Sequence, residues 1–447
     1  MDRSTLASLA REATRFLRRL IRFDTTNPPG NELACAKWIG EVFDREGIPA
    51  VAVEPAPGRG SIVARLAGRG ERRPLLLMSH LDVVPAVAAD WQHEPFGGDI
   101  IDDEIWGRGT QDTKGLTAIW VALLVHAKRS GILLDRDLIF AATADEETGG
   151  ALGMRWLVEN RFDLIDCEFA LNEGGGTGMT IGGKTVYTYQ TAEKGICPVK
   201  LTARGTAGHA SIPHIDNPVV HLAEAIRKIG QTHLPIHVTD TLELFIRRTA
   251  SLVGGDLGSK LPGILEEETA ESTLNLLNNE THANTLRAMS RNTASPTILQ
   301  GGEKRNVIPQ TAAAEIDCRV LPGQTAETLA MELGNVLGLR GDPSDKIHVE
   351  VSLLSTPTQS APDTELSRAI AEAVARHDPG AGVAPFLMPA GTDGRFLREK
   401  GITCYGFFPT LPDVDTRTVH GKDERLPISS VDFGLRVLWD VIIRVAG

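Results

Sequence analysis

A chain of 447 residues is longer than a single hydrophobic core usually serves, so two or three domains are expected. Its net charge of −12, from 58 acidic against 46 basic side chains, argues against nucleic acid or an anionic membrane as a partner. Five cysteines, odd in number and without a Cys-x-x-Cys pair, argue against a disulfide framework and a cysteine-based zinc site, so any metal must use His, Asp and Glu.

From Ser4 to Phe23, Leu6, Leu9, Phe16, Leu17, Leu20 and Ile21 recur at helical spacing among arginines. No apolar run there is long enough for a signal peptide or a membrane span, and a cytoplasmic protein is expected. Asn27-Pro-Pro-Gly30 reads as a loop, Asn31–Glu46 as a helix, and Ala50–Glu54 and Ser61–Leu66 as short strands. Next comes Pro74-Leu-Leu-Leu-Met-Ser-His80-Leu-Asp82, a continuous apolar run entering His-x-Asp. It predicts a central parallel strand covered on both faces, with His80 and Asp82 at its carboxyl end, where open α/β sheets bind ligands. Trp106-Gly-Arg-Gly-Thr-Gln-Asp112-Thr-Lys-Gly115 is a glycine-punctuated loop before a helix over Leu116–Ala127. Asp137–Thr143 is a strand running into Asp145-Glu146-Glu147, Ala151–Glu159 a helix, and Cys167–Leu171 a strand running into Asn172-Glu173. The alternation signals βαβ units and a mostly parallel sheet.

Beyond Glu193 the acidic strand ends disappear. Strands at Cys197–Ala203, Thr311–Val320 and Ile347–Leu354 with helices at Asn217–Ile229 and Ala326–Leu337 predict a small α+β unit with an antiparallel sheet. The polar stretch Thr239–Ser295 between them reads as further helices and loops. Parallel-sheet texture returns with a helix at Thr364–Arg376, a strand at Ile402–Phe408 and a last helix from Ser429, whose Ser429-x-x-Asp432 fits a capping box. The fold class expected is therefore α/β, a mostly parallel catalytic domain over 1–193 and 357–447 interrupted by an α+β lid or dimerisation domain over 194–356.

His80, Asp112, Glu146-Glu147 and Glu173 stand at four expected strand ends. Imidazole and carboxylate suit Zn²⁺, Mn²⁺ or Co²⁺, and two such ions need a carboxylate bridge with a clamp on either side. Adjacent Glu146 and Glu147 cannot easily point at one atom, so one can bind metal while the other takes a proton from the attacking water.

His80-Leu-Asp82-Val-Val-Pro, Gly107-Arg-Gly-Thr-Gln-Asp112-Thr-Lys-Gly, Asp145-Glu-Glu-Thr-Gly and Asn172-Glu-Gly-Gly together resemble the M20 metallopeptidase family, which includes carboxypeptidase G2, aminoacylase-1, succinyl-diaminopimelate desuccinylase and carboxypeptidase S. Gly205-Thr-Ala-Gly-His209-Ala-Ser and Asn306-Val-Ile-Pro resemble the carboxypeptidase S branch. The resemblance implies two Zn²⁺ per chain, replaceable by Co²⁺ or Mn²⁺, with Asp112 bridging, His80 and Glu173 on one ion, and Glu147 with a late histidine on the other. His420 is that histidine; His377, late in a helix, reads better as a partner of the helix C-terminus. Glu146 would be the general base and Asp82 would fix the His80 imidazole.

The implied substrate is a small peptide or N-acyl amino acid with a free carboxylate. Arg319 matches the family's carboxylate reader; Asn306, Gly391, Thr392 and Arg395 would line the pocket. His209 resembles a residue that reaches a partner subunit's site and supports the oxyanion, which implies a homodimer. The activity expected is cleavage of the amide bond next to that carboxylate. A succinyl- or carbamoyl-amino acid amidohydrolase, or a silent metal-binding dimerising protein, are the alternatives.

Overall fold

The computed structural model describes residues 3–342 and 344–447; Met1, Asp2 and Pro343, which fall in the expected domain ranges, lie outside the described residues. The first helix spans Arg3–Ile21 and the second Leu33–Arg45. The Arg72–His80 strand is buried from Leu75 to His80. Its alternation divides the core: Leu75 and Leu77 pack with Leu20, Phe43, Trp120 and Leu438, while Leu76 and Met78 pack on the opposite face with Met154, Leu157 and Leu397. Each fully buried leucine contributes roughly 2 kcal/mol, and the two-sided burial is why this strand reads as an unbroken apolar run.

The large sheet has the order 50–56, 59–66, 136–143, 72–80, 169–172, 403–406, 184–193, 358–359. Its centre is parallel, with 136–143, 72–80, 169–172 and 403–406 running the same way. The 50–56 and 59–66 strands at one edge are antiparallel. The long Lys184–Glu193 strand is not visible in the sequence, because its last eight residues, including Thr188, Gln190 and Thr191, are all buried and leave no alternation to read. It pairs in parallel with Gly382–Met388, another strand the sequence does not reveal.

The inserted sheet is antiparallel throughout: 293–301, 311–320, 195–196 with 199–204, then 347–351. Pro218–Gln231 and Ala326–Leu337 bury Leu222, Ile229, Leu329 and Leu333 with it in a separate core. The expected 194–356 boundary does not describe the packing of the polar stretch. Helices Asp240–Val253 and Glu280–Ser290 place Leu242, Phe245, Ile246, Leu286 and Met289 in one core with Val186, Ala192, Ala384 and Leu387 of the large sheet. Apolar residues spaced along these helices supply a face that packs on the 184–193 and 382–388 strands. The chain thus passes between the two layers four times.

Two smaller expectations change. The last helix starts at Ile428 with Pro427 as its N-cap and no side-chain cap, so Ser429 lies inside the first turn and forms no capping box. Asp112 does not follow a strand of the large sheet; its loop joins the small Glu104–Trp106 strand to the Lys114–Ser130 helix.

Candidate metal centre

His80 ends its strand 1% exposed. Its Nδ1 donates to the main-chain carbonyl of Asp82 at 2.9 Å, which fixes the ring and turns Nε2 inward. Nε2 stands 2.9 Å from Asp112 Oδ1 and 3.4 Å from Glu173 Oε2. The other oxygen of Asp112 is 3.0 Å from His420 Nε2, which is also 3.1 Å from Glu147 Oε2. The five residues form two three-membered sets, His80–Asp112–Glu173 and Asp112–Glu147–His420, sharing one aspartate.

Asp82 faces His80 and does more besides. Its carboxylate is 3.5 Å from His80 Nδ1, farther than its own carbonyl. The carboxylate oxygens also accept the backbone N–H groups of Glu146 at 3.0 Å and Glu147 at 3.1 Å. Asn27 Nδ2 donates to Asp82 at 2.9 Å and to Thr148 Oγ1 at 3.0 Å. Asp82 therefore holds the turn that presents the two glutamates.

Three buried supports escape sequence reasoning. Asp145 sits at φ +73°, and its carboxylate accepts from Arg59 at 2.8 Å, while Arg59 also binds Glu32 at 2.9 Å. Glu424, wholly buried, accepts from Arg108 at 2.6 Å, from the N–H of Gln111 at 2.7 Å and from that of Asp112 at 3.1 Å. One carboxylate thereby ties the Asp112 loop to the loop carrying His420, whose own φ is +56°. A non-glycine residue held there costs on the order of 1–3 kcal/mol, which the Glu424 and Arg108 bonds offset. Arg108, Asp145 and Asn27 lie within motifs quoted from the sequence and Glu424 lies shortly after His420, but nothing in the sequence marks them as buried.

The third support is Glu193, the last residue of its strand and 1% exposed. Its carboxylate accepts the N–H and the hydroxyl of Thr392, both at 2.9 Å, and lies 3.3 Å from Thr358 Oγ1 and from Arg398. Thr392 therefore shapes its loop and presents no free donor to a ligand. Gly391 leaves room for Arg395, since a Cβ there would stand 2.8 Å from Arg395 Nη1. Arg395 in turn donates to the carbonyl of Gly149 at 2.8 Å, beside the Glu146–Glu147 turn.

The electrostatics suit cations. Burial raises Glu173 to about 7, and burial with the Glu173 charge nearby pushes Glu146 well up. Hydrogen bonds to Asp112 and Glu147 raise His420 to about 10. For Asp112 burial opposes ionisation, and the two histidines overcome it and lower the value. Glu147 Oε1 is buried without a hydrogen-bond partner. A crowd of carboxylates drawn together on two inward-facing imidazoles, with an orphaned oxygen among them, fits divalent ions.

The inserted unit brings its own residues together away from this cluster. His209 and Asn306 meet through the Gly208–His209 and Val307–Ile308 strands, with the N–H of Ala210 donating to the Asn306 carbonyl at 3.1 Å. His209 is exposed, its Nδ1 2.7 Å from Ser211 Oγ. Arg319 pairs with Asp317 of its own strand at 2.7 and 3.0 Å, so a substrate carboxylate there would compete with that aspartate. His377 ends the Glu365–His377 helix 3.6 Å from Asp440, as a structural partner.

Among the described residues no helix is long and apolar enough to cross a membrane. Residues 76–444 match the model of peptidase family M20/M25/M40. A probable carboxypeptidase S-like 2 of Dictyostelium discoideum is 31% identical over 379 residues, covering 81% of this chain and 70% of that protein. The human N-fatty-acyl-amino acid synthase/hydrolase is 26% identical, covering 83% and 74%, and human aminoacylase-1 is 27% identical, covering 92% and 89%. Among solved structures, an M20 family metallo-carboxypeptidase from Sulfolobus solfataricus superposes with a TM-score of 0.67 at 17% identity, covering 97% of this chain and 98% of that one. Human carnosine dipeptidase 1 gives 0.67 at 14% identity, covering 99% and 97%.

Proposed function

The chain belongs to the peptidase family M20/M25/M40 and is a hydrolase, and from that premise we propose that it cleaves an amide or peptide bond adjacent to a free-carboxylate amino acid, using two zinc ions. The observation that carries the reading is Asp112, whose two oxygens serve two separate ligand sets. His80 and Glu173 complete one set, Glu147 and His420 the other; Co²⁺ or Mn²⁺ are accepted by the same donors. Bound there, the ions supply a water of lowered pKa and polarise the scissile carbonyl.

The residues of the chain do the rest. Glu146 ligates neither set and has its carboxyl raised by burial, so it accepts the proton of the attacking water and returns it to the leaving nitrogen. Arg319 or Arg395 reads the substrate carboxylate by paired hydrogen bonds. His209, exposed on the inserted unit, supports the oxyanion in the site of a second copy, making a homodimer the active form. Five free, buried cysteines suit a reducing, cytoplasmic setting. The decisive experiment loads metal-free protein with Zn²⁺, Co²⁺ or Mn²⁺ and assays dipeptides and N-acyl amino acids against their carboxamides. Two ions per chain with turnover of the free acids is the expected result; turnover without metal, or equal turnover of the carboxamides, would overturn it.

A further inference from the structure

Beside the metal centre lies a cavity of about 480 Å³ bordered by Asp112 and Glu173, within the size range of small-molecule sites. Met179, Phe386, Met388 and Phe408 of the large-sheet layer, with Pro412, Val414 and Val419, give it an apolar lining interspersed with threonines and Gln111. Another part of the lining is Thr281, His282 and Thr285, all on the Glu280–Ser290 helix of the polar stretch. Burial lowers the pKa of His282, so that imidazole is neutral at pH 7. Among the described residues, no lysine or arginine lines this space.

A second cavity, bordered by Gly149 beside the Glu146–Glu147 turn, differs: it offers Arg155, Arg395 and Lys400, partly offset by Glu159 and Glu399. Of the two cavities only this one presents cationic side chains to a substrate carboxylate. The acyl group then falls to the apolar side.

Resting on the hydrolase reading, we infer that the cavity walled by Met179, Phe386, Met388, Phe408 and the Thr281–Thr285 turn is the acyl site, and that it takes an uncharged, apolar acyl group and rejects an anionic one such as succinyl. A carboxylate placed on that lining would lose its hydration with no lysine or arginine there to pair with it. The polar stretch then serves two ends, since its inner face joins the core and one turn of its last helix closes the substrate pocket.

The test uses the metal-loaded, full chain with N-acetyl-, N-butyryl-, N-hexanoyl-, N-octanoyl- and N-succinyl-alanine, together with calorimetric binding of the matching free carboxylic acids. Each methylene buried should raise kcat/KM and tighten acid binding about fourfold until the cavity is filled. Succinyl-alanine should fall below butyryl-alanine. Thr285→Arg should raise the succinyl-to-butyryl ratio by about tenfold or more, the size of one charge-assisted hydrogen bond. Thr285→Trp should end the chain-length rise at a shorter acyl group. Hydrolysis with no dependence on length, or succinyl favoured in the unaltered enzyme, would overturn the acyl site and leave the hydrolase reading standing. Acid binding that tightens with length while no substrate is cleaved would do the reverse, and the binding series on the unaltered protein decides even where a variant fails to fold.

Discussion

The catalytic face of the large sheet and the outer face of the inserted unit carry the same kinds of residue in opposite states. His80, Asp112 and Glu147 are held by bonds to the buried Asp82 and Glu424, and Asn27 holds Asp82 in turn. His209 and Arg319 have partners only two residues away, Ser211 and Asp317, and His209 is open to solvent. A metal centre tolerates little displacement of its ligands, so the chain fixes these groups, on strand ends and on loops braced by buried carboxylates, before any ligand arrives. Groups that meet substrate late can stay on short local bonds until then.

The contrast is broken most directly at Asp112. Asp112→Ala should lose both ions and all measurable turnover, read by metal analysis after dialysis; retention of one ion would show that the two sets are independent. Glu146→Gln comes next. It should keep two ions and lower kcat by about 10²–10⁴, the usual contribution of a positioned general base. Loss of metal in that variant would make Glu146 a ligand.

On the inserted unit, effects should be smaller and should spare the metal. His209→Ala should bind two ions and lose about 10²–10³ in kcat. Mixing it with Glu146→Ala protein after subunit exchange should restore part of the activity; no recovery despite proven exchange would place His209 within its own chain's site. Arg319→Ala and Arg395→Ala separate the two carboxylate readers. The true one should raise KM by about tenfold or more for free acids and leave the already poor carboxamides unchanged.

The smallest effect concerns Lys194, just past Glu193. It is 1% exposed, its Nζ donates to the Arg291 carbonyl at 2.6 Å, and burial, with Arg319 nearby, lowers its pKa to about 7. An unfolded lysine titrates at about 10.4, so between about 7 and about 10 the unfolded chain holds a proton that the folded one does not. Stability should therefore rise with pH across that window, and Lys194→Met should flatten the rise in urea midpoint. An unchanged slope would mean that Lys194 keeps its proton in the fold.

His80, Asp112 and the Glu146–Glu147 pair were legible because each follows an apolar or glycine-rich signal: the Leu75–Met78 run before His80, the glycines around Asp112, and the 136–143 strand before Asp-Glu-Glu; His420 follows none and was reached only through the family resemblance. Their supports were not. Glu424 and Glu193 act through bonds to residues hundreds of positions away, and nothing in their local sequence separates them from surface acids. The same limit hid the packing of Asp240–Ser290: its composition reads as polar, while the apolar side of each helix meets strands that lie on either side of it in the chain. Asp82 was found as a partner of His80; that its carboxylate also holds the tight turn after Thr143 through two amide groups was not visible.

The four passages of the chain between its two layers decide which groups would move together. The Thr281–Thr285 wall is joined to the same core as the 184–193 and 382–388 strands, so a rotation of the inserted sheet would carry His209 and Arg319 but leave that wall where it is. Arg395, held to the carbonyl of Gly149, would stay with the wall. A change that shifts the inserted sheet should therefore leave acyl-length selectivity unchanged, and should alter the response to the anionic end only where Arg319, rather than Arg395, reads it.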